Sequence, residues 1–132
     1  MRARFSSLVS ATLIVALAGC SRQDERLRQH RKHFESLGAT TAAIGEAWLA
    51  GSVSGTYTLT ALDQTFRLVE QEQTALASKP NTLIDPRGAA LSQAAEKLLR
   101  LLARLTEDVR SGDAVALRGH LAEIPIKPSE SH

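Results

Sequence analysis

His30 and His33 have the spacing that metal chemistry uses on a helix. Residues three apart share a face, so two imidazoles can reach one ion. A structural site needs about four ligands and a catalytic site about three. The nearest further ligand in sequence, Glu35, falls on another face, and Arg31 and Lys32 repel a cation. The expectation is therefore no metal, with His30 and His33 as weak candidates that otherwise form a half-exposed pair in the first turns of a helix. His120 stands three residues before Glu123. This spacing suits a surface pair, with the imidazole well placed at a helix C-terminus. Haem is disfavoured: there is no Cys-x-x-Cys-His, and the only Met is the initiator, so a His/Met axial pair cannot form.

Other chemistry is equally thin. No Gly-x-Ser-x-Gly elbow presents a serine nucleophile. Glu70/Glu72 and Glu107/Asp108 are one or two residues apart, and side chains so spaced diverge on a helix. Gly51 and Gly55 lack the following Lys-Ser/Thr of a phosphate loop. Trp48 continues an apolar series and reads as core. The stripe Lys97, Arg100, Arg104 reads as a solvated face. No cofactor and no catalytic residue is expected, and an enzyme is the least supported class.

The N-terminus is more specific. Arg2 and Arg4 form a short positive start, and residues 8–18 are almost wholly apolar. A bilayer-spanning helix needs roughly 20 apolar residues. This stretch is too short for that and has the size of a signal-peptide h-region. It ends in Leu17-Ala18-Gly19-Cys20, and Cys20 is the only cysteine. The run resembles the lipobox of bacterial lipoproteins, an aliphatic residue and two small residues before Cys, at all four positions. The resemblance covers residues 1–20 alone. It implies a diacylglyceryl group on the Cys20 sulfur, cleavage between Gly19 and Cys20, and further acylation of the new amino terminus. Burial of acyl chain is worth about 0.8 kcal/mol per methylene, and two or more chains give stable attachment. Ser21, rather than Asp, follows the cysteine. In a Gram-negative cell this favours the outer membrane with the domain facing the periplasm. In another cell it implies the outer face of the cell membrane.

Removal of the leader changes the charge reading. Of 16 basic residues, Arg2 and Arg4 leave with it, so 14 basic and 14 acidic residues remain from Cys20 onward. A neutral domain has no electrostatic footprint for nucleic acid. Beside the anchor, Arg22, Arg26, Arg28, Arg31 and Lys32 form a basic cluster interrupted by Asp24 and Glu25. Near an anionic leaflet each cation can add about 1 kcal/mol of attraction. The alternative is a solvated helix start.

These features must be carried by helices. The chain has 132 residues, 43% hydrophobic and 4% aromatic, with four Pro and eight Gly. That is one ordinary domain, neither disordered nor collagen-like, and a lone cysteine cannot staple it. Positions 27, 30, 34, 37, 41, 44 and 48 alternate steps of three and four, an a/d seam broken by His30 and Thr41. Punctuation follows at Gly51-Ser52-Val53-Ser54-Gly55. A second seam runs Leu59, Leu62, Phe66, Val69, Gln73, Leu76, with Ser54 as cap and Lys79-Pro80-Asn81 as stop. Val53, Gly55, Tyr57 and Leu59 also alternate as a strand would, but no second strand candidate exists to pair with them. The third seam is Leu91, Ala95, Leu98, Leu102, Leu105, Val109, widened by Ala94 and Leu101. Asp85-Pro86 starts it and Gly112 stops it. A short fourth helix follows Asp113 and ends at Ile124-Pro125.

The predicted fold is all-α: an up-down-up antiparallel bundle of three long helices, with a short C-terminal helix closing one end. Residues 1–19 are the signal peptide, 20–26 the lipid anchor and basic juxtamembrane segment, 27–124 the bundle, and 125–132 a flexible tail. Asp63–Arg67 and Glu96–Arg100 are expected ion pairs at i,i+4. The expected function is that of a membrane-anchored, non-enzymatic interaction or accessory protein of the cell envelope. Its partners would be membrane lipid and an envelope protein or a second copy of itself, with His30, Thr41 and Gln73 available to fix register. The alternative is a bundle that carries a small ligand, haem or metal behind Ala42, Ala43, Ala94 and Ala95.

Overall fold

A computed structural model describes the backbone of residues 2–125 and the side chains of residues 22–125. The side chains of Leu17, Ala18, Gly19, Cys20 and Ser21, and the tail from residue 126, lie outside the described residues. The described residues form five helices: α1 (Arg2–Leu49), α2 (Gly55–Ala77), α3 (Pro80–Ile84), α4 (Pro86–Ser111) and α5 (Ala114–Leu121). The long helices α1, α2 and α4 run up, down and up. No helix among the described residues is long and apolar enough to cross a membrane.

The helix ends follow the local chemistry. Gly51 takes φ +71°, and the amides of Ser52 and Gly51 return to the carbonyls of Ala47 and Trp48. Gly112, at φ +69°, ends α4 in the same way, with Asp113 and Gly112 donating to Asp108 and Val109. A left-handed residue is nearly free of strain only as glycine, and this geometry satisfies carbonyls that a helix end leaves open. Ser54 caps α2 through its hydroxyl, which accepts from the Tyr57 amide at 3.1 Å. That commits residues 55–59 to the start of a helix, not a strand. Asp85 caps α4 at the Arg87 amide, 2.9 Å, with Pro86 at the first helical position. Asp113 caps α5 at the Ala116 amide, 3.0 Å.

The core is continuous across the bundle. Phe34 of α1, Leu62, Val69 and Leu76 of α2, Ala95, Leu98, Leu102 and Leu105 of α4, and Leu117 of α5 are fully buried. Leu37, Ile44, Trp48 and Leu91 pack against them half-buried. The seams expected for α1 and α4 therefore face inward. The seam of α2 holds at Leu62, Val69 and Leu76 but shifts by one residue at two of its other positions. Thr58 and Thr65 are buried, whereas Leu59 and Phe66 are only half-buried. The threonines tolerate this because each hydroxyl donates to the carbonyl four residues back, at 2.8 Å, and leaves its methyl to the neighbours. Thr41 does the same toward Leu37 at 2.8 Å. Its polarity is consumed within α1 and fixes no register between helices.

Two elements depart further from expectation. The segment 79–84 is not a plain connection: α3 makes one helical turn between two prolines, too short for periodicity to reveal. It lies over the first turn of α4, where Gly88 is buried against it. A Cβ at residue 88 would stand 1.7 Å from the Thr82 carbonyl oxygen. The last helix doubles back along α4 and touches α1, where a Cβ on Gly45 would meet the Leu121 side chain at 2.7 Å. It closes the end of the bundle opposite α3.

Candidate functional site

The antiparallel passage of α1 and α2 brings Glu72 to the histidine pair. His30 Nδ1 and His33 Nδ1 lie 2.6 and 3.0 Å from the same oxygen, Glu72 Oε1. Each imidazole donates and the carboxylate accepts. The point where the two rings converge is thus filled by a carboxylate oxygen. His30 is the inner member and His33 the exposed one. Among the described residues no group of three or more His, Cys, Asp or Glu side chains is arranged to hold a metal ion. A shallow groove of about 240 Å³ adjoins this trio, lined by His33, Ser36, Leu37, Leu68, Gln71 and Glu72. Spacing along one helix found the two histidines. Glu72 is some forty positions away, and only the chain reversal supplies it.

The second imidazole–carboxylate contact corrects an expectation. His120 pairs not with Glu123 but with Asp108, Nδ1 to Oδ2 at 2.5 Å. Glu123 turns to Arg104 at 3.8 Å. Asp108 is buried in the last turn of α4, where the negative end of the helix dipole disfavours a carboxylate. The imidazole from α5 answers that charge. The nearby Ser111 hydroxyl donates to the carbonyls of Glu107 and Asp108.

A third cluster joins the starts of α1 and α4. Arg87 donates to Asp24 and to Asp85, each at 2.8 Å. Gln23 Nε2 reaches Asp85 Oδ2 at 3.3 Å and the Asn81 carbonyl at 3.4 Å. The Arg87 side chain, then its backbone amide, hold the Asp85 carboxyl at about 2, well below its usual 3.8. Asp85, then Asp24, push Arg87 above its already high value. This clasp binds residues 23 and 24 into the fold, so the start of α1's described side chains is tied to α3 and α4.

The remaining candidates are surface features. Arg22, Arg26, Arg28, Arg31 and Lys32 are all exposed, with Arg28 paired to Glu25 and Arg31 to Glu35 at 3.1 Å. Lys97, Arg100 and Arg104 line an open groove of about 490 Å³ with Leu101 and Glu123. Asp63–Arg67 forms at 3.2 Å, but Glu96 and Arg100 make no ion pair among the described residues. Ala95 is core and Ala42 and Ala94 are half-buried, but Ala43 faces outward and cannot line an internal cavity. Gln73 is half-buried on α2. Comparison with family models, curated proteins and solved structures gives no match.

Proposed function

We propose that this chain is a lipid-anchored lipoprotein of the bacterial cell envelope that acts by contact, as a non-enzymatic interaction or accessory component. The observation that carries the reading is Leu17-Ala18-Gly19-Cys20 at the end of a short apolar stretch with basic residues before it. Cys20 takes the acyl chains, and Ser21 directs the protein to the periplasmic face of the outer membrane in a Gram-negative cell. Two or three chains make the attachment effectively permanent.

The polar groups favour a contact role. The imidazoles and the carboxylates they meet are occupied with holding helices together: Glu72 joins α2 to α1, and Asp108 joins α4 to α5. Residues 23 and 24 are clasped to α3 and α4, so the domain is held close to its anchor. A short, stiff attachment suits a local partner in or on the same membrane.

Replacement of Cys20 by Ser tests this. The variant should leave the membrane fraction or retain its first nineteen residues, and the parent should carry the mass of its acyl groups. Unchanged sorting and an unchanged mass would remove the anchor and the envelope role with it.

A further inference from the structure

The end of the bundle nearest Cys20 carries an apolar projection. In α3, Thr82 is buried over Gly88, which turns Leu83 and Ile84 outward, 41% and 78% exposed. They are the one adjacent pair among the large apolar side chains left exposed in the described residues. Polar contacts flank them on both sides. Asn81 receives Gln23, and Asp85, the residue after Ile84, receives both Gln23 and Arg87.

Position along α1 states what this projection faces. Gln23 is three residues from Cys20 on the same helix, which is roughly 5 Å along its axis. The segment that touches Gln23 therefore lies at the depth of the bilayer surface when acyl chains on Cys20 enter the membrane. Amphipathic segments bury apolar side chains about 5–10 Å into that interfacial layer. The charges agree. Arg26 and Lys79 border one cleft with Pro80 and Asn81, and Arg22 lies one helical turn before Arg26. Arg87 sets one positive charge against the two carboxylates of Asp24 and Asp85, and Arg22, Arg26 and Lys79 add three more, so an excess of positive charge remains at this end of the bundle. An exposed apolar pair with cations at the same end of the bundle matches an anionic lipid surface.

We propose that α3 is a second membrane contact: Leu83 and Ile84 enter the headgroup layer of an anionic bilayer beside the lipid anchor, with Arg22, Arg26 and Lys79 on the headgroups. This rests on the anchor reading and extends it. The domain is then fixed in orientation as well as in place, with α3 against the bilayer and α5 at the far end.

The test uses the full chain, processed and lipidated in cells and reconstituted into vesicles of equal parts phosphatidylcholine and phosphatidylglycerol. Acylation consumes the Cys20 thiol, so Ile84→Cys offers one site for an environment-sensitive fluorophore. Val115→Cys, on α5 and also 78% exposed in the parent, is the control. At position 84 the emission should shift to the blue and be quenched by lipids spin-labelled near the headgroup. Quenching should fall in pure phosphatidylcholine and in the Arg26→Glu/Lys79→Glu background. Position 115 should show neither effect. Flotation with the vesicles but equal, weak quenching at both positions would overturn the α3 contact and leave the anchor standing. A blue shift that grows with protein density and ignores the spin label would also overturn it, in favour of a second copy on this face. An unmodified Cys20 and no flotation would overturn the anchor and this proposal together.

Discussion

Asp85 does three things with one carboxylate. It caps α4, accepts from Gln23 and shares Arg87 with Asp24. Its acidity follows first from the Arg87 guanidinium, then from the cap, with Gln23 adding to both. A carboxyl held at about 2 in the fold and near 3.8 when released favours the folded chain wherever it is ionised in both states. That contribution is full above about pH 4 and is lost as pH falls through about 2. The urea midpoint of the parent should therefore exceed that of Asp85→Asn at neutral pH. The difference should shrink between pH 4 and pH 2; a constant difference would show that the charge has no part in it. The Asp108–His120 pair makes a different demand. Replacing His120 by Ala leaves a buried carboxylate at the wrong end of a helix, without its donor. Loss of a hydrogen bond to a charged group of this kind costs about 2 kcal/mol. Urea unfolding of His120→Ala should show it, and His120→Gln should recover part of the loss by restoring an N–H.

Among the elements, α3 depends on the absence of an atom. The Thr82 carbonyl occupies the space where a side chain at residue 88 would begin. Alanine is worth about 1 kcal/mol over glycine in an exposed helix interior. Here that gain meets an overlap with backbone, which cannot rotate away as a side chain can. Gly88→Ala should lower stability, by an amount at the upper end of the about 1–3 kcal/mol that overpacking costs. It should also raise hydrogen exchange at the Thr82 and Asp85 amides, which donate to Lys79 and Asn81 in the parent. A thermal melt equal to the parent's would mean that α3 is not seated there. α2 teaches a related point: buried threonines are compatible with a tight helix–helix contact once their hydroxyls are returned to their own helix.

At the scale of the molecule, every buried side chain of the core among the described residues lies at Leu27 or later. The bundle should therefore fold without residues 1–20. A chain of residues 21–132 should give a predominantly helical circular dichroism spectrum and one cooperative unfolding transition. A spectrum dominated by strand, or gradual loss of signal, would contradict a single shared core. The charge division between helices is not what joins them. α2 leans acidic and α4 basic, yet Glu72 turns to α1, and Lys97, Arg100 and Arg104 line a groove on the surface. Apolar burial carries the association of α2 with α4, and the charges decorate it.

What the order of residues determined is what depends on near neighbours. The caps at Ser54, Asp85 and Asp113, the glycine stop at Gly112, and the inward faces of α1 and α4 all follow from groups within four or five positions. Such groups meet as soon as the helix forms. The run Leu17-Ala18-Gly19-Cys20, on which the proposed anchor rests, is likewise a local pattern. The tertiary structure decided whatever depends on which surfaces meet. The burial of Thr58 and Thr65 over Leu59 and Phe66 depends on how α2 is rotated against its neighbours. Glu72 reaches His30 and His33, and Asp108 captures His120 from Glu123, because the chain reverses. One helical turn at α3 gives no period to read, and its outward apolar pair exists only because Gly88 lets Thr82 turn in. Short-range geometry is written into spacing, but a side chain's partner across the bundle is set by packing, and packing is a property of the whole chain.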